Sequence, residues 1–193
     1  DLHLDATGYG LAAGLFFLGY SLFEIPSNLI LERVGARRWI ARIMIGWGFV
    51  SMATMFVTSG ATFMIARVVL GVAEAGFFPG MVLFFTYWFP ASERARTGAL
   101  FVMASPVALI IGAPLSQFVR KLDGAIGLHG WQWLFLVEGL PAVAAGVLAL
   151  VVLSDRPESA EWLEADEREW LSRTMAEERA HRAVASPSQL RHG

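Results

Sequence analysis

Five long apolar runs dominate this chain and leave it few ways to fold. They fall at about 9–31, 39–58, 62–87, 97–119 and 133–153. Each is close to the ~20 residues a helix needs to cross the hydrocarbon of a bilayer. In hydrocarbon every backbone donor and acceptor needs a partner within the protein, so runs of this length predict helices. A water-soluble helical core is the alternative, but five such runs in succession leave too little polar surface to cover them. Composition agrees: 55% of residues are hydrophobic and only 17% charged, outside the ordinary soluble range. The expectation is an all-α membrane protein, with residues 1–153 forming a partial transmembrane bundle.

Direction follows from the short loops, because arginine and lysine concentrate on the cytoplasmic side. "ERVGARRWIAR" carries Arg33, Arg37, Arg38 and Arg42, and "FPASERARTG" carries Arg94 and Arg96. The alternate loops are poorer: "TSGAT" has no basic residue, and 120–132 has only Arg120 and Lys121. The first span is therefore expected to run inward, and residues 154–193 to be a cytoplasmic segment. There, Trp162, Leu163, Trp170, Leu171 and Met175 recur at helical spacing among charges. That pattern predicts an amphipathic helix lying on the membrane or against loops, or a solvated linker. Asp166 with Glu169 three residues later marks a helix start.

Several classes of function lack their parts. No basic patch interleaved with aromatics points to nucleic acid. There is no cysteine, and His3, His129, His181 and His192 all lie outside the apolar runs. Metal sites and nucleophile–base pairs are thus not expected within the spans, nor is an intramembrane enzyme or a cofactor. No filter-like loop suggests a channel. Small residues at helical spacing, Gly10 with Gly14 and Gly76 with Gly80, predict close helix contacts. Pro26, Pro79, Pro106, Pro114 and Pro141 are candidate bends. The runs otherwise look uninterrupted.

Four charged side chains fall inside the spans: Glu24, Arg67, Glu74 and Glu138. Such residues are expensive in lipid and usually face a bundle interior or a wet cavity. Arg67 and Glu74 share a helix face about 10 Å apart, two stations along one wall. Arg67 stays protonated and can hold a carboxylate in a bidentate fork. A carboxyl at low dielectric can load and release a proton. Together they suit symport of an anion with a proton, and Glu24 can line the same cavity. The competing reading is that Arg67 and Glu74 stitch helices together. Glu138, near a span start, is expected to be structural or interfacial.

"NLILERVGARR" (28–38) resembles the loop signature of the major facilitator superfamily, with Glu32, Arg33, Gly35 and Arg37 on its acidic, basic, glycine and basic positions. Asn28 replaces its usual glycine and Glu32 its usual aspartate. "ARVVLGVAEAG" (66–76) resembles the fourth-helix signature and "FPASERARTGAL" (89–100) the following loop. "FFLGYSLFEIPSN" and "SDRPESAEWLEADEREWL" are similar to the anion:cation symporter family within it, which includes tartrate, phthalate and hydroxyphenylacetate carriers.

The resemblance implies that the five spans are helices 2 to 6 of twelve, a fragment of the N-terminal half. Helix 1 and the C-terminal half would be missing partners. It implies substrate contact for Arg67, Tyr20 and Ser105, and proton coupling at Glu74. It implies a conformational latch of Glu32, Arg33, Gly35, Arg37, Glu93 and Arg94. The thin glycine–proline pattern at Gly112 and Pro114 favours symport over antiport. A proton and a small organic anion are the expected partners, in a bacterial inner membrane. An antiporter of organophosphates, a drug exporter, and a membrane receptor or scaffold are the alternatives.

Overall fold

A computed structural model describes residues 5–185. Among them every regular element is helical: α1 (Ala6–Val34), α2 (Ala36–Ala53), α3 (Gly60–Glu74), α4 (Phe77–Trp88), α5 (Ala91–Arg120), α6 (Gly130–Val152) and α7 (Ala165–Ala185), with short 3-10 turns between some of them. His3 and His192 lie outside the described residues. Five segments are long and apolar enough to cross a membrane: Ala6–Val34, Ala36–Phe56, Gly60–Trp88, Ala91–Arg120 and Gly130–Val152. The chain divides into two compact units, residues 1–81 with 105–153, and residues 82–104 with 154–193.

In the first unit, α1 pairs with α3 and α2 with α6. Local signals set the helix ends. Asp5 caps α1 by accepting from the Gly8 amide at 2.7 Å, and Ser59 and Thr62 form a reciprocal capping box on α3. Gly35 separates α1 from α2, its amide closing back on the Leu31 carbonyl at 2.9 Å.

Of the glycines expected to pack closely, Gly76 and Gly80 do so: a Cβ on Gly76 would collide with the Ser27 side chain, and one on Gly80 would lie 2.7 Å from Leu31 Cδ1. Gly10 and Gly14 have open space where a side chain would stand. Further close approaches are at Gly19 and Gly71 between α1 and α3, and at Gly48, Gly139 and Gly146 between α2 and α6. A Cβ on Gly71 would collide with the Phe16 carbonyl, and one on Gly19 would lie 2.6 Å from the Val68 oxygen. Spacing alone could not tell these positions apart, because it does not say which helix face meets a neighbour.

The third apolar run is not one helix. α3 stops at Glu74 and α4 begins at Phe77, with Gly76 between them at φ 85°. Proline at 79 has no N–H to give the carbonyl four residues back, which is that of Ala75. Glycine at 76 takes the left-handed conformation that other residues resist. The freed Ala75 carbonyl is satisfied from α1: Ser27 Oγ donates to it at 2.7 Å, buried. The Trp39 indole N–H in turn donates to Ser27 Oγ at 2.9 Å. Pro26, Pro106, Pro114 and Pro141 all remain inside continuous helices.

In the second unit, residues 154–180 lie against the end of α4 and the start of α5. The Trp162 ring stacks on Trp88, centroids 5.5 Å apart and 10° from parallel. The Trp88 indole donates to the Ser154 carbonyl, and the Arg156 guanidinium sits 5.0 Å above the Tyr87 ring. Met175 and Ala160 are buried. The start of α7 lies two residues earlier than the Asp166–Glu169 pair suggested: Glu167 accepts from the Glu164 amide at 3.3 Å. Of the apolar stripe, Met175 turns inward while Trp170 remains 63% exposed.

Candidate functional site

The membrane-embedded charges gather in the first unit, around α3. Arg67 lies on its third turn, partly exposed, with its guanidinium carbon 4.9 Å from the centre of the Phe16 ring. It forms no ion pair among the described residues, and the aromatic face is its protein partner. It lines a cavity of about 330 Å³ together with Tyr9 from α1, Phe63 from α3, and Trp131, Phe135 and Glu138 from α6. This is at the lower end of the size range of small-ligand pockets.

Glu138 therefore shares the cavity of Arg67, a placement that its position near a span start did not reveal. No sequence signal links residues 67 and 138. They meet because the starts of α3 and α6 open on the same space as α1.

Glu74 is half-buried at the last turn of α3, within electrostatic reach of Arg67 but not paired with it. Tyr20, on the facing side of α1, interacts with the carboxylates of both Glu74 and Glu24 and hydrogen-bonds the backbone of Phe78. Phe78 is in the first turn of α4, where amides have no partner within the helix. Tyr20, Glu24, Ser27 and Asn28 recur on one face of α1, and Ser27 and Asn28 meet the Ala75–Gly76 break. The Asn28 Oδ1 atom there is buried without a hydrogen-bond partner. The structure thus arranges two neighbouring groups along α3: the cavity of Arg67 and Glu138, and the broken-helix cluster of Glu74, Tyr20 and Glu24. Of these, Arg67 and Glu138 line the cavity itself.

Ser105 is exposed on α5 and is not brought into that cavity. The residues expected to form a latch are divided between the units. In the first, Arg37 donates to the Leu150 carbonyl of α6 from both Nε, at 2.8 Å, and Nη2. Glu32 and Arg33 are exposed, and Gly35 forms the joint between α1 and α2. In the second, Glu93 is exposed in the first turn of α5. Arg94 pairs with Glu178 of α7 at 2.8 Å, and Glu178 also accepts from the Ala91 amide at 3.1 Å. Glu178 was not legible as a partner, since 84 residues separate it from Arg94 and only the folding back of α7 joins them.

The fold resembles that of a solved transporter. The crystal structure of a bacterial homologue of the human lysosomal transporter Spinster, inward-facing and unoccupied, matches with a TM-score of 0.68 at 20% identity, over 81% of this chain and 37% of that one. In sequence, a protein described as a putative tartrate transporter from Agrobacterium vitis is 53% identical over 98% of this chain and 42% of its own length. A quinolone resistance transporter from Acinetobacter baumannii is 42% identical over 93% of this chain and 42% of its own length. The chain thus spans about two fifths of the length of these relatives, in keeping with a piece of the N-terminal half. Its fold and relatives are those of multi-pass membrane transporters rather than enzymes. The model of the Major Facilitator Superfamily matches residues 1–191, and the chain belongs to that family.

Proposed function

We propose that this chain is part of a proton-driven symporter for a small organic carboxylate anion. It works by the rocking of two six-helix halves about a site near mid-membrane. The observation that carries this reading is Arg67, a permanent cation in an apolar span, lining a cavity with no carboxylate among the described residues paired to it. A cation left open at low dielectric suits an anionic ligand, because the ligand supplies the compensation the protein withholds.

Glu74 is the proton carrier in this reading. It is within the field of Arg67, so occupancy of the arginine by an anion alters the balance for protonating the carboxyl. Tyr20 and Glu24 complete its surroundings, and Ser105 meets substrate only as α5 moves. Glu32, Arg33, Gly35, Arg37, Glu93 and Arg94 act as the latch. The protein sits in a bacterial inner membrane with residues 1–153 as the partial bundle and 154–193 cytoplasmic. The relative described as a tartrate transporter supports an organic acid as cargo.

Uptake by the full-length protein in proteoliposomes with an imposed pH gradient tests this. Accumulation of a carboxylate such as tartrate is expected to collapse with a protonophore. Glu74→Gln is expected to abolish accumulation while sparing counterflow exchange. Unchanged proton dependence in that variant refutes the coupling role. The relative described as a quinolone resistance transporter supports a second reading, export of an amphipathic drug. Proton-driven extrusion of a quinolone, with no carboxylate uptake, would favour it.

A further inference from the structure

We propose that Glu138 is a specificity-determining residue, the second pole of the Arg67 cavity, and that it selects anions carrying a hydroxyl group near the carboxylate. The inference rests on the reading of Arg67 as the carboxylate's partner and adds a substrate class to it.

Arg67 and Glu138 are the two charged side chains lining the cavity, and they enter it from different helices, α3 and α6. In an apolar environment opposite charges that can close on one another gain much by doing so. These two do not: neither forms an ion pair, and Glu138 makes no hydrogen bond to the described residues. The walls between them are largely aromatic, from Phe63, Trp131 and Phe135. Those rings make much of the wall apolar, with the Tyr9 hydroxyl and the Trp131 indole as the other polar groups among the lining side chains. What remains is a cavity with a fork of donors at one station and an acceptor at another.

A ligand that satisfies both carries a carboxylate for Arg67 and a hydrogen-bond donor for Glu138. A hydroxycarboxylate has both groups. Its unhydroxylated counterpart leaves the Glu138 carboxyl desolvated and unpaired, and a second carboxylate placed there would meet like charge. A site built to bond a hydroxyl rejects the analogue lacking it more sharply than an apolar pocket rejects a methylene.

Tartrate and succinate test this, because they share a four-carbon dicarboxylate skeleton and differ in hydroxylation. Their KM values are measured in proteoliposomes containing the full-length protein. Wild type is expected to favour tartrate by roughly ten-fold or more. Glu138→Met, of similar size but without an acceptor, is expected to raise the KM for tartrate towards that for succinate, leaving succinate unchanged. Glu138→Gln, which restores an amide oxygen, is expected to recover part of the preference and stands in if the Met variant does not assemble. Equal handling of the two acids by wild type, binding of neither, or parallel losses for both in the Glu138 variants overturns the proposal. Undiminished uptake of both acids by Arg67→Lys fails the earlier reading, whereas the tartrate-to-succinate ratio of the Glu138 variants reads this proposal, so the two failures are distinguishable.

Discussion

Two arginines show how the two units of this chain treat charge. Arg94, in the second unit, is paired with Glu178 at 2.8 Å, and the same carboxylate accepts from the Ala91 amide at the start of α5. Arg67, in the first, has an aromatic ring and a cavity. In the second unit the protein supplies its own counter-charge, and the result is attachment: α7 is held to the start of α5. In the first no carboxylate pairs with Arg67 among the described residues, though Glu74 lies within electrostatic reach and Glu138 lines the same cavity. An ion pair within the fold is a fastening, whereas an unpaired cation in an apolar span is costly unless something else arrives to meet it. The contrast separates a charge answered within the fold from one left open where residue type alone does not.

The comparison breaks first at the arginines themselves. Arg67→Lys in the full-length protein is expected to cut anion uptake by on the order of 100-fold, because a point charge does not reproduce a planar fork. Arg94→Lys is expected to leave uptake within a few-fold of wild type. Its ion pair runs through one nitrogen, while its Nε is buried without a partner, so a single ammonium can serve. Similar losses in both variants would mean that the two sites do not differ in kind.

Packing gives the next largest effect. Gly71→Ala drives a methyl group into the Phe16 carbonyl and is expected to cost about 1–3 kcal/mol, the usual range for overpacking. Thermal unfolding of the purified full-length protein reads this as a lowered midpoint. Glu178→Ala follows, at about 1–3 kcal/mol, since a charge-assisted pair is lost and the Ala91 amide loses its acceptor. The cost should fall on attachment of the 154–180 segment, visible as faster hydrogen exchange in α7 with anion affinity unaltered. Smallest is Gly10→Ala, at a site with open space around it, where a change within about 0.5 kcal/mol is expected. A large effect there would show that the face is occupied in the assembled protein.

Much of the fold was legible in the chain. The apolar runs at 9–31, 39–58, 97–119 and 133–153 correspond to α1, α2 with its 3-10 extension, α5 and α6, with ends moved by one to six residues, and Asp5 caps the extended start of α1. The break in 62–87 was half visible. Pro79 signalled a bend, but only with Ser27 of α1 beside it does the freed Ala75 carbonyl find a partner, so that bending becomes full interruption. Of the two glycine pairs, Gly76 and Gly80 meet α1 closely while Gly10 and Gly14 face open space, because spacing shows which residues share a face and not what that face meets. Arg67 and Glu74 stood out by their cost in an apolar run. Glu138 stood out in the same way but read as structural or interfacial, and Glu178 did not stand out, since each acquires its meaning from a helix distant in sequence.

Local chemistry in the sequence was enough to determine an all-helical membrane body, the rough places where the helices begin and end, and the charges that need explaining. Those outcomes depend on the length and polarity of each segment alone, which any part of the chain carries with it. Tertiary structure decided which charge is answered and which is left open: Glu178 reaches Arg94, while Glu138 and Arg67 face one cavity without pairing. The physical reason is that electrostatic compensation depends on distance through space, and the packing of α7 and α6 sets those distances.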